Sequence, residues 1–260
     1  MDTLRTKALE LILTSDPDQK SALTRAVPLD LRIYADQKIS EPAGIPGRPA
    51  LPVLVGHTEL KKRSMATPEG RAALIHSLAH IELNAIDLAL DVVWRFDGMP
   101  DDFYRQWMGV AREEALHFQI LRDHLIQLGF SYGQFPAHNA LWEMAEKTKH
   151  DVLARIALVP RTLEARGLDA SPPIRRKLID AGDHRAGEIL SIILRDEIGH
   201  VAVGNHWYRY LCKQRNLEEV VTYAQLADKY HAPRLKGPFN MDARKAAGFS
   251  DQELQDLARM

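Results

Sequence analysis

Two stretches of this chain, REEALHF at residues 112–118 and RDEIGHV at residues 195–201, repeat one pattern: an acid, a glutamate, two small or apolar residues and a histidine. Both lie in long runs whose apolar residues recur at helical spacing. Around Glu197 stand Leu190, Ile193, Leu194 and Val201; around Glu114 stand Val110, Ala111, Phe118 and Leu121. Each glutamate therefore shares the face that its helix should bury, and the histidine three residues on sits beside it. A buried carboxylate costs several kcal/mol unless something positive pairs with it. The chain has 15 glutamates and 11 histidines among 260 residues, so chance alone supplies roughly 0.6 Glu-x-x-His matches. Two matches, both on apolar stripes and both preceded by a second acid, constrain the fold far more than one would.

A metal cage in a helical bundle needs a further carboxylate from each of two other helices. Glu82 is one candidate, flanked on its face by Leu78, Ala79, Ala85, Ile86 and Ala89, and Glu164 is the other. Glu82 precedes Glu114 by 32 residues and Glu164 precedes Glu197 by 33, the spacing of a duplicated helical hairpin. The turn near residue 98 lies midway between Glu82 and Glu114, so antiparallel pairing brings them to one level. The expected ligands are thus Glu82, Glu114, His117, Glu164, Glu197 and His200. Four carboxylates and two imidazoles suit two iron ions, with manganese as the alternative. Glu113 and Asp196, each four residues before a histidine, are placed to accept from His117 and His200 and fix their tautomers.

The rest of the chain supports an all-α reading. Residues 3–14 and the following QKSALTRAV read as short helices, and EPAGIPGRPALPVLVG (41–56) reads as an extended strap, because its prolines remove donors and fix φ. Thr67 and Pro68 begin a long helix that runs to Phe96. A second ends at Gly129, a third runs from Leu141 through Gly167, and a fourth from His184 to about Gln214. Residues 168–183 read as a link holding a short helix, and Gly167 and SPP just after Glu164 leave room for the third helix to end early on that side. The expected organisation is an N-terminal segment (1–66), a four-helix bundle (67–216) and a C-terminal helical extension (217–260). His76 and His80, one turn apart near Ser77, Asn84 and Asp87, read as a polar face of the helix rather than as further ligands.

Composition narrows the function. A net charge of −1 provides no field for nucleic acid or an anionic membrane. The single cysteine, Cys212, excludes an intramolecular disulfide and a cysteine-rich zinc or iron–sulfur site. The N-terminus lacks a signal-peptide pattern, and a cytoplasmic location is expected.

At these residues the sequence resembles the ferritin-like di-iron carboxylate superfamily, whose hallmark is two Glu-x-x-His motifs and two single glutamates in a four-helix bundle. The stretches PGRPALPVLV, HSLAHIELNAIDLALD, AREEALHF, ILRDEIGHVAVGN and KGPFNMDARKAAGF are more closely similar to a bacterial family of ferritin-like proteins without an assigned activity. The resemblance covers residues 45–250. It implies the six ligands named above and an oxidoreductase that activates dioxygen or peroxide, such as a hydroxylase, with no catalytic residue beyond the metal site. A small-molecule or modified-base substrate, an unidentified electron donor, no membrane and a homodimer complete that reading. The alternatives are an iron-handling ferroxidase or storage protein, a di-manganese enzyme acting on peroxide, and a non-catalytic metal-binding bundle.

Overall fold

The computed structural model describes residues 2–56, 59–60 and 63–259. The described residues are helical, and their one strand-like contact is an isolated parallel bridge between Leu54 and Ala137. The part of the 1–66 segment at residues 1, 57, 58, 61 and 62 lies outside the described residues. The chain divides into two compact units, Met1–Trp142 with Ala181–Ile189, and Glu143–Asp180 with Leu190–Met260.

The first unit is built on a hairpin of α3 (Pro68–Arg95) and α4 (Asp101–Gln127). Thr67 accepts a hydrogen bond from Gly70 N, and Pro68 occupies the first turn where its missing donor costs nothing. The chain reverses at residues 96–100, where Gly98 takes a left-handed φ of +71°. At the far end of α4, Gly129 is left-handed as well, and Phe130 N and Gly129 N donate to the carbonyls of Leu125 and Ile126. This closing motif satisfies carbonyls that the helix end would leave unpaired. Ile86, Leu90, Trp94, Phe103, Trp107 and Phe118 are among the buried side chains of the hairpin. Burial of each large side chain contributes about 1.5–3 kcal/mol.

Two short helices pack on this hairpin, α1 (Leu4–Leu13) on α3 and α2 (Pro17–Arg25) chiefly on α4. Arg5 of α1 is fully buried, and its guanidinium donates to Val93 O and Trp94 O at the end of α3 and to Ala35 O in the segment after α2. Residues 41–56 carry no helix. Gly47 N donates to Ile12 O at 2.8 Å, so close that a Cβ on Gly47 would lie 2.1 Å from Leu13 O. Arg48 reaches Asn139, and Glu41 reaches Arg95 of α3.

The second unit corrects the expectation of one continuous third helix. The segment is α5 (Ala140–Lys147, which begins in the first unit), α6 (Val152–Leu158), a π-helical turn (Val159–Glu164) and α7 (Ala165–Asp180). Far from ending at Glu164, the helix continues for sixteen residues, with Pro172 and Pro173 inside it. Pro160 explains the irregularity: it has no N–H to give the preceding turn, and the wider i→i+5 winding absorbs it. Thr162 Oγ1 donates to Ala157 O at 2.7 Å within this stretch.

Helix α8 (His184–Gln214) begins in the first unit, where Asp183 accepts from Ala186 N, and continues through the second. There Val201 packs with Ala165 and Leu168 of α7 and with Ala243 and Ala247 of the C-terminal segment. Gly204 lies against Pro160, where an added Cβ would stand 3.2 Å from the proline ring. Helices α9 (Glu219–Lys229), α10 (Met241–Ala246) and α11 (Asp251–Ala258) complete this unit. Among the described helices, α3 alone is long and apolar enough to cross a membrane, and 72% of its most apolar window is buried inside the protein.

Candidate metal centre

The hairpin brings Glu82 of α3 together with Glu114 and His117 of α4. All three are buried, at 4%, 1% and 0% exposure. His117 Nδ1 lies 3.2 Å from Glu114 Oε2 and 3.4 Å from Glu82 Oε2. One ligand atom from each residue falls within 4.8 Å of the others, so this buried cluster could hold a metal ion. The positioning follows from the sequence: Glu114 and His117 are one helical turn apart, and the reversal at Gly98 sets Glu82 opposite them.

Burial pushes the Glu82 carboxyl up to about 8, and the charge of nearby Glu114 pushes the same way. Burial opposes a charge on His117, but hydrogen bonds and charge from Glu114 and Glu82 outweigh it and raise the imidazole to about 11. Protons on these two groups thus offset carboxylate charge that would otherwise be buried. The donor set fits a hard or borderline divalent cation, which carboxylate oxygens and one imidazole nitrogen would hold.

In the second unit, Glu197 and His200 occupy one turn of α8 and are both buried, with His200 Nδ1 3.9 Å from Glu197 Oε1. Glu164 is the last residue of the π turn and is half-buried. Of the two acids expected to orient the histidines, Glu113 is exposed on α4. Asp196 is largely covered, and its carboxylate receives the guanidinium of adjacent Arg195 at 2.7 and 3.1 Å.

His76 and His80 are buried, at 0% and 5% exposure. They belong to a buried polar stripe along α3, His76–His80–Asn84–Asp87–Asp91. α2 covers part of it, where Lys20 forms a buried ion pair with Asp87, and the 130–139 loop covers more. His76 Nε2 accepts from Gly133 N at 2.9 Å, and its ring stacks on Tyr132. The His80 ring bonds to the Tyr132 hydroxyl at 2.7 Å and to His138 O at 3.1 Å. Since a carbonyl only accepts, Nε2 carries the proton and Nδ1 accepts from the phenol. The regular 4-4-3-4 spacing of the stripe was the available signal, but it does not distinguish a solvated face from one covered by other segments.

The chain belongs to the family described as "Protein of unknown function (DUF455)", which matches residues 13–255. It is also 50% identical, over 213 residues, to an uncharacterized protein of Haemophilus influenzae; the match covers 79% of this chain and 74% of that one. No solved structure matches it significantly.

Proposed function

We propose that this protein is a ferritin-like di-metal oxidoreductase that uses two iron ions to activate dioxygen or peroxide. The observation that carries the reading is the buried Glu82–Glu114–His117 cluster, whose Glu-x-x-His motif recurs, also buried, as Glu197 and His200. In this proposal α3, α4, the α6–π–α7 segment and α8 form the four-helix bundle. Glu82, Glu114 and His117 supply half of the ligands, and Glu164, Glu197 and His200 the other half. Glu113 and Asp196 orient the histidines. When bound, the metal pair would supply redox and Lewis-acid chemistry.

The chain's own groups would have definite tasks. His117 must release its proton to offer a nitrogen, and Glu82 must ionise, so loading releases protons. Carboxylates from four separate segments would hold the metals, and the apolar residues around them would exclude water. The covering of α3 by α2 and the 130–139 loop keeps bulk water from the back of Glu82.

The test is metal identity and stoichiometry per chain, measured by inductively coupled plasma mass spectrometry after purification without chelator from cells given iron and manganese. About two iron ions per chain is the expected result. Two manganese ions would redirect the reading to peroxide chemistry. No metal after anaerobic reconstitution would end it.

A further inference from the structure

The second unit holds an open cavity of about 850 Å³ that the proposed metal chemistry does not use. Small-molecule sites span roughly 300–1,000 Å³ and combine apolar walls with a few fixed polar groups. Here Ala227 of α9, Phe249 and Leu257 of α11 supply apolar surface, and Arg161 of the π turn joins the lining.

Arg161 is the unusual member. It is 3% exposed, and its guanidinium stacks against Tyr208, Tyr223 and Phe249 at 4.4, 5.0 and 5.2 Å from the ring centroids. Nε donates to Asn205 at 2.7 Å, and Nη2 pairs with Glu253. Nη1 has no hydrogen-bond partner among the described residues. A desolvated guanidinium with an unused donor edge favours an oxygen acceptor, and a carboxylate suits it best.

The acids of the lining leave room for such an acceptor. Glu253 is committed to Arg161 and to Ser250, while Asp256 accepts from Gln252 and Arg259 on its own helix. Asp228 remains, with Arg234 in the same lining to offset it.

We propose that this cavity binds a small organic acid with an apolar ring or chain, its carboxylate on Arg161 Nη1 and its body against Phe249, Ala227 and Leu257. The site is independent of the metal reading and stands or falls without it.

Two fluorescent probes with the same aromatic body test the idea on the full chain: 1-anilinonaphthalene-8-sulfonate, whose sulfonate stands in for the carboxylate, and the neutral N-phenyl-1-naphthylamine. The sulfonate is expected to bind one site per chain, at least about tenfold tighter than the neutral dye. Ala227→Trp, which fills the cavity, should weaken it by roughly tenfold or more. Arg161→Gln should bring the two dyes to within about threefold of each other. Absence of saturable binding, equal affinity for the two dyes, or undiminished binding by Ala227→Trp would each overturn the proposal. If Arg161→Gln does not fold, the dye pair and Ala227→Trp still decide it.

Discussion

Glu82, Glu114 and His117 show how a residue's meaning depends on what stands opposite it. Any one of them in isolation reads as a helix-surface polar group, and only the 32-residue spacing around Gly98 pairs them. The proposed roles make direct predictions here. Glu114→Ala and Glu197→Ala should each remove most of the bound metal, and full occupancy in both variants would eliminate the cage. Asp196→Asn should preserve the fold while weakening one metal by roughly 10–100-fold, the usual effect of losing a residue that orients a ligand. An unchanged affinity, read by competition with a chelating dye, would remove Asp196 from that orienting role.

His76 carries a separate prediction, about stability. Burial lowers its pKa from the ordinary 6.5 to about 4, and only the neutral ring can accept from Gly133 N. The folded state therefore binds the proton less readily than the unfolded chain does. Its contribution is complete above pH 6.5 and is lost as pH falls through 4, an effect of about 3 kcal/mol by linkage. Denaturant unfolding at a series of pH values should show this acid slope in the native chain and a shallower one in His76→Gln. Parallel slopes would show that another group controls the acid limb.

At the scale of elements, the π turn is where sequence periodicity stops being a guide. Glu164 is placed in the sequence only by its 33-residue spacing to Glu197, yet the chain breaks after Lys147 and widens at Val159. Each such change rotates every following side chain, so its register could not be read from spacing. Pro160 was visible in the sequence, but whether it kinks, ends or widens a helix depends on what packs against it. Here Gly204 allows a close approach and Thr162 bonds both Ala157 O and the Tyr223 hydroxyl. Thr162→Val keeps the shape and loses both bonds, so it should cost about 1–3 kcal/mol in denaturant unfolding. Wild-type stability in that variant would mean the turn is set by Pro160 and Gly204 without the hydroxyl.

For the molecule as a whole, metal loading and folding should be coupled. The buried carboxylates of the cluster repel each other, and protons partly replace the cation. Ions that bind only the folded chain stabilise it by about 2.7 kcal/mol at 100 times Kd. Calorimetry should therefore find the iron-loaded protein melting roughly 5–10 °C above the chelated one. Equal melting temperatures would show that the cluster is preorganised and indifferent to metal.

The sequence by itself determined the helical class, the α3–α4 hairpin with its cap at Thr67 and its stops at Gly98 and Gly129, and the meeting of Glu82, Glu114 and His117. These features rest on local chemistry, namely caps, left-handed glycines and the 3.6-residue period, and one short turn carries them across the hairpin. Only the tertiary structure decided that the polar stripe from His76 to Asp91 is covered, that Arg161 lies buried beside an open cavity, and that the third helix is wound in four pieces. Those outcomes depend on segments far apart in sequence, and an unpaired polar face looks the same in sequence whether water or protein covers it.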